Sequence, residues 1–239
     1  MIVELCCGSY EDALIAKKAN CDRIELNLDL SLGGLTPPMG TVKKTLELEI
    51  PTVVMIRNRP GGFCYSKEIY TSMLWDLKEF MTLPIEGVAF GFLEENGKID
   101  ENRTREFVDI IHGAGKKAVF HRAFDNCQSI DEIKLLVDIG VDRLLTSGRK
   151  NKAMEGLDNL KRLQDFPLDI IVASGVNQEN APRIYEKTGI TQYHASCRTS
   201  VIDPTTSVHA DFNISSNDEF FQMDFKKAKE FVRIIHELQ

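Results

Sequence analysis

The stretch Phe120-His121-Arg122-Ala123-Phe124-Asp125 puts a histidine, an arginine and an aspartate within five positions, directly after the apolar run Lys117-Ala118-Val119-Phe120. A run of that length, opened by Gly115 and closed by polar residues, reads as a buried parallel strand. Polar side chains at the C-terminal end of such a strand are where α/β sheets and barrels keep their ligand chemistry. An imidazole beside a carboxylate suits proton transfer near neutral pH. A surface loop with one salt bridge would be the plainer reading of a single His-Arg pair, but several other strands end in the same way.

Those strands alternate with amphipathic stretches along the whole chain. Strand one is Ile2 to Cys6, and Ser9 caps a helix to about Ala19 with Glu11 and Asp12 in its first turn. Strand two is Arg23 to Leu28, followed by a Gly33-Gly34 loop and a helix from Met39 to Glu49. Strand three, Thr52 to Ile56, runs into Arg57-Asn58-Arg59-Pro60-Gly61-Gly62, after which Ser66 caps a helix to about Thr82. Strand four is Gly87 to Phe92, with a helix from Glu101 to His112. After strand five, Ser129 caps a helix ending near Gly140. Strand six, Arg143 to Thr146, leads to a helix from Lys152 to Gln164, and strand seven, Asp169 to Ala173, to one from Gln178 to Lys187. Strand eight is Gln192 to Ala195, and the last helix is Phe225 to Leu238.

Eight strand–helix pairs, short connections and no break in composition predict a single (β/α)₈ TIM barrel over residues 1–239. The segment 196–224 is too long for an idle connection and is expected to fold over the barrel mouth.

Alternate residues of a strand face opposite sides. Val3, Leu5, Ile24, Leu26 and Leu28 suit the helix side, which turns Glu4, Cys6, Glu25 and Asn27 inward. The same parity pairs Met55 with Arg57, Val119 with His121, and His194 with Ser196. Arg59, Arg122 and Asp125 then stand at the rim. Buried charges persist only when paired or hydrogen-bonded, so the set reads either as an ionic brace or as a polar site. Its origin in five strands favours the site. As acid–base machinery, Glu4 or Glu25 would be the base, His121 the proton shuttle with Asp125 beside it, and Arg57 and Arg59 the clamp. The Ser147-Gly148 and Ser174-Gly175 turns resemble backbone cradles for an anion, with Arg122 and His194 close by. The ligand on that reading is a small phosphorylated or carboxylated metabolite.

Composition bounds the partners. The chain has 239 residues, 27% charged, with a formal charge of −7 and no basic block, which argues against nucleic acid or an anionic membrane as partner. The first residues carry Glu4 within their apolar run and lack a basic n-region, so neither a signal peptide nor a membrane span is expected and a cytoplasmic location is. Six cysteines without a Cys-x-x-Cys pair are expected as reduced thiols.

Three stretches, Gly33-Gly34-Leu35-Thr36-Pro37, Ile56 through Ser66, and Phe120 through Asp125, resemble the CutC family of copper homeostasis proteins. Glu4-Leu5-Cys6-Cys7, Arg23-Ile24-Glu25-Leu26 and Leu145-Thr146-Ser147-Gly148 extend the resemblance in order from residue 2 to about residue 200. It departs at Ala173-Ser174-Gly175, where the family usually has Gly-x-Gly, and beyond Cys197. The resemblance implies a cytosolic barrel, commonly oligomeric (a homodimer first), that binds and handles Cu(I). Cu(I) is soft and takes thiolates and thioethers. Cys64 and Cys127 lie in loops after strands three and five and form the expected pair, with Cys6 below and Met55 as a thioether. Cys7 and Cys21 suit packing. Tyr70, Trp75 and Phe80 on the third helix are candidates for pairing two copies.

Overall fold

The computed structural model describes residues 1–203, 205 and 219–238. Eight parallel strands form a closed ring: β1 (Ile2–Cys7), β2 (Arg23–Leu26), β3 (Thr52–Met55), β4 (Gly87–Phe90), β5 (Lys117–Phe120), β6 (Arg143–Thr146), β7 (Asp169–Val172) and β8 (Gln192–Ala195), which pairs back onto β1. Between and after them run α1 (Tyr10–Ala19), α2 (Met39–Leu46), α3 (Lys67–Met81), α4 (Glu101–Gly113), α5 (Ile133–Ile139), α6 (Leu157–Leu163), α7 (Ala181–Thr188) and α8 (Phe225–Glu237). The molecule is the (β/α)₈ TIM barrel that the periodicity predicts.

Local chemistry sets the ends of these elements. Ser9, Ser66 and Asp100 accept the amides of Asp12, Ile69 and Arg103 at the starts of α1, α3 and α4. Strand two ends at Leu26 rather than Leu28, because Leu28 leaves the ladder to pair with Leu35 across the Gly33-Gly34 turn. The predicted helix from Lys152 splits into a 3₁₀ turn, Ala153–Glu155, and α6. Gly156 separates them at a point where a Cβ would come 2.1 Å from the Ser147 carbonyl oxygen, so the chain must pass tight against the end of β6.

Two apolar layers hold the ring. The larger lies between strands and helices and includes Leu5, Ile24, Val54, Phe90, Phe107, Phe120 and Phe231. Tyr70 and Phe80 belong to it, which corrects their expected place on an outer face; Trp75, 66% exposed, is the member of that trio on the surface of α3. The smaller layer fills part of the lumen with Val53, Met55, Ala89, Val119, Leu145, Ile171 and Ala173. These come from β3 to β7 and the residue after it. The lumen beside β8, β1 and β2 is ionic instead.

After β8 the chain forms an antiparallel pair, β9 (Arg198–Ile202) and β10 (Glu219–Met223). Its stem docks on α1: Met223 is buried and its amide donates to Asp12 Oδ1 at 2.8 Å. Of the expected cover over the mouth, 196–224, residues 204 and 206–218 lie outside the described residues. No helix among the described residues is long and apolar enough to cross a membrane.

Candidate functional site

Strand register assembles the ionic side of the lumen. Glu4 on β1 stands level with Arg23 on β2 and His194 on β8, and Cys6 stands level with Glu25. Glu4 Oε2 accepts from Arg23 Nε at 2.5 Å, and Glu4 Oε1 lies 2.8 Å from His194 Nδ1. Burial alone would raise the Glu4 carboxyl. The His194 hydrogen bond and the Arg23 charge outweigh it and hold the group down at about 2. His194 is itself held above its ordinary value: burial opposes its charge, but the Glu4 hydrogen bond and the two carboxylates favour it more. Arg23 shares the inward parity of Glu25 and Asn27, yet an arginine at the base of a strand reads from sequence as a boundary residue.

One level up, Glu25 Oε2 accepts from Asn27 Nδ2 at 2.9 Å and from the Cys6 thiol at 3.6 Å, and lies 3.9 Å from His194 Nε2. Glu25 Oε1 is buried without a partner. Burial, with Glu4 nearby, raises the Glu25 carboxyl; burial and the Glu25 charge push the Cys6 thiol well up. Single donor atoms from Cys6, Glu25 and His194 all lie within 4.8 Å of one another. Cys6 and His194 open into a cavity of about 390 Å³, which the Ser174-Gly175 turn, Arg122 and Arg198 also line. Ser174 and Gly175 both have left-handed backbone, at φ 74° and 69°, and Ser174 Oγ is tied to the Asn151 carbonyl at 2.7 Å.

Arg57 and His121 stand apart from this group, on the β3–β5 side. Arg57 is buried and donates to the carbonyls of Leu32, Gly34 and Gly61 at 2.8–2.9 Å. His121 is buried over Gly91, where a Cβ would meet its ring at 2.6 Å. Its Nδ1 accepts from the Ala123 amide at 3.1 Å. Burial and the Arg57 charge hold the imidazole down at about 3. The ring is therefore fixed, with the proton on Nε2, and a neutral donor near pH 7.

Other expectations also change. Asp125 accepts from Arg122 Nε, Thr146 Oγ1, the Ser147 and Arg149 amides and Ser147 Oγ, all between 2.5 and 3.1 Å. The Gly148 amide goes to Thr146 Oγ1 at 3.0 Å. The Ser147-Gly148 cradle is thus filled by the protein's own carboxylate, and Asp125 fastens the turn instead of serving as a free acid. Arg59 is spent within its own loop, on the carbonyls of Pro60, Gly62 and Cys64.

The two expected copper ligands of the loops lie in different layers. Cys64 is exposed. Cys127 is buried in the strand–helix core, its thiol pushed up to about 12 by burial and 3.8 Å from the Ala123 carbonyl. Met55 sits in the apolar lumen layer. All six cysteines are unpaired. Among the described residues it is Cys6, with Glu25, expected as a base, and His194, expected beside the anion, that has company able to hold a metal.

A model of the CutC family matches residues 1–199. The curated CutC family protein of Treponema denticola is 38% identical over 217 residues, which is 87% of this chain and 85% of that protein. The one from Aliivibrio fischeri is 35% identical over 203 residues, 83% and 82% of the two chains. A solved structure from Streptococcus agalactiae, provisionally described as the copper homeostasis protein CutC, superposes with a TM-score of 0.76 at 30% identity, over 82% of this chain and 98% of that one. N-(5'-phosphoribosyl)anthranilate isomerase from Pyrococcus furiosus superposes with a TM-score of 0.60 at 16% identity, over 99% and 98% of the two chains, and shows the shared fold alone.

Proposed function

The chain belongs to the CutC family, and on that footing we propose that it takes Cu(I) as its cargo at Cys6, His194 and Glu25 and serves copper handling in the cytosol. The observation that carries the reading is the convergence of those three donors at the barrel mouth. Thiolate and imidazole are both copper ligands, and the thiolate favours the cuprous ion. Glu4 supports the site from behind. With His194 Nδ1 committed to Glu4, Nε2 is the nitrogen that faces Cys6 and Glu25. A carboxylate behind a ligating histidine fixes its tautomer and orientation in many metal sites. Cys6 holds its proton in the metal-free protein, so loading copper displaces a proton from the thiol.

Anaerobic Cu(I) titration against a chromogenic chelator tests the reading. One equivalent should bind to the wild-type chain and to the Cys64→Ser/Cys127→Ser double variant. Cys6→Ser and His194→Gln should each weaken it at least about tenfold, the scale expected for losing a ligand or its support. Uptake lost only in the double variant would move copper to the loops, and no uptake by the wild-type chain would reject copper cargo.

The acid–base reading keeps one specific support, the unpartnered Glu25 Oε1. On that reading Glu25 is the base, because Glu4 is locked between Arg23 and His194.

A further inference from the structure

Two buried donors on the other side of the mouth have no acceptor. Arg57 is 5% exposed and spends both terminal nitrogens on backbone carbonyls, while its Nε–H has no hydrogen-bond partner and the buried Tyr65 hydroxyl is the polar group beside the guanidinium. Carbonyl partners satisfy hydrogen bonds but leave a guanidinium's charge uncompensated. His121 is 3% exposed, and because Nδ1 accepts from a backbone amide, its proton lies on Nε2, which is also unpartnered. Both side chains pack against one ring: Phe63 lies 5.0 Å from the His121 ring and 5.5 Å from Arg57 Cζ. Two orphaned buried donors against one ring are what a common acceptor would satisfy.

Arg57, and the Phe63 ring that packs on His121, stand in the wall of a space suited to that acceptor, while His121 itself does not line it. A cavity of about 580 Å³ is lined by Arg57, Phe63, Arg122, Arg149 and Lys150, with Gly33 at its edge. That volume is typical of a small-molecule site. Two carboxylates, Asp125 and Glu155, also line it, and Asp125 is consumed by the β6 turn. Arg149 adds a third buried orphan at its Nε.

We propose that this cavity binds a small oxyanion, a carboxylate or phosphate group of a metabolite, through the guanidinium of Arg57 in its wall, and that the Nε2–H of His121, beside the Phe63 ring, completes the contact. The site adjoins the cavity of Cys6 and His194, sharing Gly33 and Arg122 with its wall, uses none of the three copper donors and does not depend on copper. A neutral imidazole donor contributes direction and no charge, so the guanidiniums attract the ligand and His121 orients it. Gly91 is part of the device, since any side chain there would displace the imidazole.

The test uses the full-length chain stripped of metal and titrated with inorganic phosphate, and separately with malonate, at constant ionic strength. Calorimetry and the His121 imidazole resonances report binding. Saturable binding of either anion that moves the His121 Nε2 signal supports the site, and whichever anion binds names the ligand group. His121→Leu should weaken binding about tenfold, the scale of one lost hydrogen bond to a charged group. Arg57→Lys, which keeps the charge but loses the Nε–H, should do the same, and His194→Gln should leave it unchanged. Should Arg57→Lys fail to fold, His121→Leu decides alone. Equal affinity in wild type and His121→Leu, or a non-saturable response to both anions, would overturn the proposal and leave the orphan donors to water.

Discussion

His121 and Glu4 are both held away from their ordinary ionisation, and each leaves its mark on stability. An unfolded imidazole titrates near 6.5, whereas folded His121, facing the charges of Arg57 and Arg122, stays neutral down to about 3. Between these values the unfolded chain binds the extra proton, so stability falls as pH drops. The slope approaches about 1.4 kcal/mol per pH unit. His121→Leu should remove that slope between pH 6.5 and about 4.5 in urea unfolding followed by circular dichroism; an unaltered slope would mean that His121 titrates normally. Glu4 acts lower down. Its stabilisation is complete above 4.5, the ordinary value, and is lost as pH falls toward about 2. His194 has the opposite sign: its raised value gives stability that is full below the unfolded value and lost as pH rises through the folded one. Glu4→Leu alone should cost about 3–5 kcal/mol, because it leaves Arg23 buried without its carboxylate.

At the level of elements, the turns after β4 and β6 do the positioning. Gly91 and Asp125 show why part of the site was legible and part was not. Strand parity puts Glu4, Cys6 and Glu25 on one face, the face that meets His194, because a period of two needs only the residue order. Which inward residues share a level depends on register around a closed ring, and a single sequence carries no register. Hence His194 was grouped with the anion ligands and not with Cys6. Likewise, Ser147-Gly148 has the composition of an anion cradle, and it is one, but the anion is Asp125, 22 residues upstream in the chain. Two experiments follow at this scale. Asp125→Ala strips four donors (Arg122, Thr146 and the Ser147 and Arg149 amides) of their acceptor and should destabilise by at least about 1.5–3 kcal/mol, the contribution of one hydrogen bond to a charged group, read as a lowered urea midpoint at constant m. Gly91→Ala should cost about 1–3 kcal/mol by overpacking. Combined with His121→Ala, part of that cost should disappear, since the ring 2.6 Å from the new methyl is gone; strictly additive losses would show that ring and methyl do not meet.

Across the whole molecule, the lumen is divided. Seven apolar residues plug it on the β3–β7 side, as in a barrel built for stability, while Glu4, Arg23, Glu25 and His194 occupy the β8–β1–β2 side. The eight-fold alternation of strands and helices made the ring legible from sequence. The division of its interior was not, because it depends on how residues from opposite ends of the chain, Glu4 and His194, are brought level. Two explanations of the ionic half compete. If it braces the closure of β1 on β2 and β8, it should be irreplaceable. If it is kept for ligand chemistry, an apolar plug should serve stability as well or better, since desolvating a buried ion group often costs more than its internal attraction returns. Joint replacement by Glu4→Leu, Arg23→Met and His194→Leu separates them, because no lone charge of that trio is left behind. The metal-free variant should match the wild-type chain or exceed it by about 1–4 kcal/mol in urea unfolding, with Cu(I) uptake lost. A deficit of several kcal/mol would identify the cluster as the brace of the barrel and leave the copper site without its rationale.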